Sequence, residues 1–113
     1  MCFKIYIYLN EKLMKKIIIL WRDIPSQIIY QQGRLREKGL LSQRFQDAID
    51  RAAMRAGKGS SSEYLADWRR IYEPCDEALN IKDSLANDLK KIESEYTDQR
   101  LLELIRQHGK ESE

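Results

Sequence analysis

The sequence predicts an α+β domain: an N-terminal β-hairpin or small antiparallel sheet covered by three to four α-helices. Three observations carry this. Lys16–Asp23 (KIIILWRD) is a continuous β-branched and aromatic run, the chemistry of a buried strand. Gln27–Gln32 (QIIYQQ) resumes that chemistry after a proline and stops at Gly33. From Ser42 onward, apolar residues recur at steps of three and four, the spacing of helices with one buried stripe.

Taken in order, Phe3, Ile5, Ile7 and Leu9 alternate with Cys2, Lys4, Tyr6 and Tyr8, a strand period that offers a third strand to the hairpin. Asp23-Ile24-Pro25-Ser26 is expected to turn the chain, with Pro25 as its turn-forming residue. Gly33–Gly39 (GRLREKG) is basic, bracketed by glycines, and reads as a loop or a short helical turn.

The first helix is expected over Ser42–Ala56. Ser42 is its N-cap, Phe45, Ile49, Ala52, Ala53 and Ala56 its buried stripe, and Gly57 its left-handed terminator. Ser60 and Glu63 have capping-box spacing before a second helix, expected to run from about Ser61 to Tyr72 with Leu65, Trp68 and Tyr72 on one face. Pro74 breaks it, leaving Glu73–Leu79 as a loop. Asn80 caps a third helix to about Tyr96, striped by Ile81, Leu85, Leu89 and Ile92. Thr97 caps a last one ending near His108 and Gly109.

The domain organisation follows from this order. Residues 1–15 are an extra strand or an extension from an upstream start codon, with Met14 as the alternative start. Residues 16–108 form one domain, and residues 109–113 are expected to fray.

Composition narrows function by exclusion. The longest apolar run, Ile17–Trp21, is far short of the roughly 20 residues a bilayer span needs. Cys2 and Cys75 make no disulfide framework, and with one histidine, His108, they offer no metal-ligand spacing, so neither a metal nor a cofactor is expected. Cys75 sits beside Asp76 and Glu77, acidic company that discourages thiolate chemistry. Two unpaired-looking cysteines and no secretory signal point to the cytoplasm. The net charge of +2 is uneven. Residues 1–58 carry twelve Lys/Arg against five Asp/Glu, and the remainder eight against thirteen. A basic front half suits an anion or an acidic partner, or simply a solvated surface.

Several blocks stand out together: Trp21-Arg22-Asp23-Ile24-Pro25 with Gln27, Gly33-Arg34, Leu41-Ser42 through Arg44-Phe45, Ala48–Met54 ending at Gly57, and Tyr64-Leu65 with Trp68. In this order they resemble a family of small bacterial proteins labelled virulence factor, whose domain also forms the N-terminus of the longer conserved virulence factor C. The resemblance spans roughly Lys16 to Arg70. It implies no assigned reaction, cofactor or catalytic residue, since the label reflects a phenotype. Some such proteins are encoded near folate- and corrinoid-dependent methyl-transfer enzymes, which implies an accessory role in one-carbon metabolism.

The candidate site is therefore a binding surface with no catalytic residues. Arg22 would present its guanidinium fork to a carboxylate or phosphate, oriented by Asp23, beside Trp21 and Gln27. Arg34 precedes Arg44, Arg51 and Arg55, which share one side of the first helix with Asp50 nearby. The competing reading is a buried Trp21, an Asp23 that caps its own turn, and arginines paired along an exposed helix. The leading expectation is a non-enzymatic accessory domain docking a protein partner through the WRDIP hairpin and the basic helix face. Sheet augmentation at the hairpin edge, by a partner or by a second copy as a homodimer, is a further expectation. The alternatives are a nucleic-acid-binding regulator using the Arg34–Arg55 region, and a small subunit completing an enzyme active site in trans.

Overall fold

The structure, a computed structural model, describes residues 14–58, 60–75 and 80–111. The proposed strand over residues 3–9 lies outside the described residues. Among the described residues, four strands and four helices follow in chain order: β1 (Met14–Trp21), β2 (Ile24–Gln32), β3 (Leu35–Leu40), α1 (Gln43–Arg55), α2 (Ser61–Ala66), β4 (Trp68–Cys75), α3 (Ile81–Glu95) and α4 (Asp98–Arg106). The strands form one antiparallel sheet in the order β3-β2-β1-β4. The fold is α+β.

Three expectations need correction. The turn between β1 and β2 is only Arg22-Asp23, and Pro25 lies inside β2. A proline is tolerated there because the β1–β2 register shifts at Ile19/Leu20, opposite Gln27 and Pro25, and a bulge relieves the ladder of a donor. The Gly33–Gly39 segment is largely strand β3, not a loop. Its charges and Gly39 suit an outer strand, which is where it sits. The second helix ends at Ala66, and residues expected to continue it or to loop instead form β4. The spacing of Leu65, Trp68 and Tyr72 imitates a helix, yet Trp68, Ile71 and Tyr72 are good strand formers and pair with Trp21, Ile18 and Ile17. Pro74 is accommodated because β4 is the other outer strand.

The register separates the sheet's two faces. Gly39, Ile28 and Ile18 are aligned on one face, as are Glu37, Tyr30 and Lys16. This face meets α3. Tyr30 hydroxyl donates to Asp88, Lys16 Nζ lies 2.9 Å from the same carboxylate, and Met14, Ile28 and Tyr30 pack against Ile81 and Leu85. At Gly39 the helix comes so close that an added Cβ would stand 2.5 Å from Leu89 Cδ1. The opposite face carries Lys15, Ile17 and Ile19 of β1 with Arg36, Lys38 and Leu40 of β3.

A second and larger core lies at the turn end of the sheet. Trp21 and Ile24 pack there with Phe45, Ala48, Ile49, Ala52 and Ala53 of α1 and with Leu101, Leu104 and Ile105 of α4. The small alanines allow the two helices close approach, as the helical spacing implies. Leu89 and Ile92 of α3 touch both cores and join them.

Candidate functional site

The Trp21-Arg22-Asp23 turn is built from the inside outward. Trp21 is fully buried. Its ring stacks on Tyr64 at 6.0 Å and its Nε1–H donates to the Tyr64 carbonyl at 2.8 Å. Arg22 has φ 52°, a left-handed conformation at the first of two hairpin residues, where glycine is favoured. An arginine held there needs compensation from its side chain. Its Nη1 donates to the His108 carbonyl at 2.9 Å and its Nη2 to Asp67 Oδ2 at 3.3 Å, while its amide donates to the Asp67 carbonyl at 3.0 Å.

Asp23 ties the same elements together. Its Oδ1 accepts from Arg69 Nη2 and its Oδ2 from the Glu111 amide, both at 2.7 Å. Its own amide donates to the Gly109 carbonyl at 2.8 Å. Arg69 Nε closes the ring by donating to the Arg22 carbonyl at 2.7 Å. The tail expected to fray from Gly109 is therefore held as far as Glu111. A shallow depression of about 470 Å³ remains between Arg22, Asp23, Asp67, Arg69, Lys110 and Glu111. Its three cations and three anions balance, and the two groups the sequence nominated for a ligand already face protein partners.

Arg44 is also spent internally. It projects from the first turn of α1 onto the end of α3, where helix carbonyls lack intrahelical donors. Nη2 donates to the Glu93 carbonyl at 2.6 Å and to Glu93 Oε1 at 3.1 Å, and Nη1 to the Tyr96 carbonyl at 2.5 Å and to Asp98 Oδ1 at 3.2 Å. Ser42 stands at the N-cap of α1 but makes no side-chain cap bond. Its amide and hydroxyl both donate to Glu93, at 2.6 and 2.8 Å. Burial pushes the Glu93 carboxyl up, but the Ser42 donors and Arg44 outweigh it and hold the group below its ordinary range.

The remaining nominated residues are scattered. Gln27 lies on β2 with its side-chain oxygen buried and without a partner among the described residues. Arg34 is exposed in the β2–β3 turn. Asp50 accepts from Gln46 Nε2 at 2.9 Å along α1. Arg51 and Arg55 make no ion pair among the described residues, and Met54 beside them is 72% exposed. Together with Asp50 and Ile105 they border a second depression of about 340 Å³. The turn and α1 thus share a core, while Arg51 and Arg55 face outward on another surface. The residues missed from sequence are Asp67, Arg69 and the Gly109–Glu111 backbone, because their contacts cross 45 to 88 positions. Among the described residues no group of three His, Cys, Asp or Glu could hold a metal ion, and no helix is long and apolar enough to cross a membrane.

These features define an α+β domain whose signature turn clamps its own distant segments. Residues 19–105 match the family described as Virulence factor, and the chain belongs to that family. No curated protein and no solved structure matches it.

Proposed function

We propose that this is an accessory domain of the bacterial cytoplasm that docks a partner protein through the outer face of α1, around Arg51, Met54 and Arg55. The observation that supports this reading is the division of the arginines. Arg22 and Arg44 are bound up in the fold, whereas Arg51 and Arg55 are unpaired among the described residues and flank an exposed methionine. Arginine is favoured at interface hot spots and methionine adapts to varied partner surfaces. The WRDIP turn then contributes by positioning α1, since Trp21 and Ile24 support its buried stripe. A role in completing another enzyme's site loses its main residues, because Arg22 and Asp23 already have partners within the chain.

The partner to try first is a one-carbon or methyl-transfer enzyme, on the association that the family resemblance implies. Purified chain and an Arg51→Glu/Arg55→Glu variant are immobilised and exposed to that enzyme, with circular dichroism confirming that both are folded. Retention by the native chain and loss in the variant support the reading. Equal retention, or none, counts against it. Retention of nucleic acid with a steep loss between low and moderate salt favours the nucleic-acid alternative instead.

A further inference from the structure

One side of β3 pairs with β2, and along the other its backbone donors and acceptors meet no strand among the described residues. The side chains along that edge are sorted by sign. Glu37 faces the α3 side and lies 4.0 Å from Lys82. Arg36 and Lys38 face the other side, and neither forms an ion pair among the described residues. Lys15 and Arg70 extend the same face, which carries no acidic residue over β1, β2 and β3.

Charge alone is a common device for keeping outer strands from pairing. Apolar residues left bare are not, and β3 begins and ends with leucines: Leu35 is 62% exposed and Leu40 68%. A docked segment would cover apolar surface at both ends of the strand. The cations also select the occupant. A second copy docked so that both sheets keep their helices on one side sets Arg36 against Lys38, and like charges directly opposite are destabilising.

We propose that the β3 edge takes an extended acidic segment of a partner protein as a fifth strand. In antiparallel pairing the segment reads apolar, any, acidic, any, acidic, opposite Leu40, Lys38 and Arg36 in turn. Alternate residues of an extended chain recur about every 6.6 Å, the same interval that separates Arg36 from Lys38 along β3. Backbone bonds would supply the affinity and the carboxylates the choice of partner. This surface is separate from the α1 face, so either can fail without the other.

The test uses the full chain, isotope-labelled for amide NMR, and three probes: an eight-residue peptide of that pattern with two glutamates, the same peptide with lysines in their place, and an oligothymidylate. The expected result is shifts confined to Leu35–Leu40 and their β2 partners with the acidic peptide alone. Arg36→Glu/Lys38→Glu should weaken that peptide about tenfold and transfer binding to the lysine peptide, a reversal that unfolding cannot imitate. Four outcomes overturn the proposal: no acidic-peptide binding up to about 1 mM, shifts mapping away from β3, preference for the oligonucleotide, or self-association through β3 that excludes the peptide.

Discussion

Gly109 lies against the indole of Trp21, so close that an added Cβ would stand 2.9 Å from Cζ3 of the ring. Its φ of 85° also belongs to glycine. The tail after α4 passes this point and bonds Asp23 through the Gly109 carbonyl and the Glu111 amide. Gly109→Ala combines a left-handed alanine with a clash against a rigid, fully buried ring. It should cost about 1–3 kcal/mol in urea denaturation.

Arg22 carries opposing local and long-range effects. Its left-handed backbone disfavours any side chain, while its guanidinium joins the His108 carbonyl to Asp67. Arg22→Ala keeps the backbone cost and loses the fork, and Arg22→Gly loses the fork but relieves the backbone. The glycine variant should therefore be the more stable of the two, by about 1 kcal/mol. Thermal unfolding of both variants beside the native chain checks the order.

Arg44 links α1 to the end of α3 and the start of α4. Arg44→Lys keeps the charge but cannot reach the Glu93 carbonyl and the Tyr96 carbonyl together through a planar fork. Loss of about 1–2 kcal/mol is expected, with the α3 C-terminal amides exchanging faster with solvent.

Glu93 makes its own contribution to stability depend on pH. Its folded-state carboxyl titrates below the ordinary value of 4.5, so its stabilising effect is complete above that value and is lost as pH falls through the lower folded one. Glu93→Gln should be less stable than the native chain near neutral pH. The gap should narrow on acidification below about pH 4.5, because the glutamine has no proton to gain. Urea midpoints measured across that range test the sign.

Much of the fold is legible from local chemistry. Ile17-Ile18-Ile19 marks β1, and the stripe from Phe45 to Ala53 marks α1. Ser60, Asn80 and Thr97 accept the amide bonds expected of N-caps. What escapes is set by distance or by position in the sheet. β3 reads as a loop because an outer strand needs no apolar face. β4 reads as helix because its strand identity depends on pairing with β1, some fifty residues earlier. The same limit governs the site. Trp21, Arg22 and Asp23 are conspicuous in the sequence, but their partners at Tyr64, Asp67, Arg69 and Gly109–Glu111 follow no local pattern, so inward and outward roles cannot be told apart. Arg51 and Arg55 look like Arg44 along the helix and differ only because Arg44 lies beside the end of α3.

The inward role of the Trp21–Asp23 turn is tested most directly by comparing the full chain with one ending at Gln107, each with and without Arg22→Ala, in urea. Truncation removes the His108 and Gly109 carbonyls, the Glu111 amide and the covering of Trp21. A loss of about 2–4 kcal/mol is expected, with Arg22→Ala costing less in the shortened chain than in the full one. A shortened chain with an unchanged midpoint, in which Arg22→Ala costs as much as before, would contradict it.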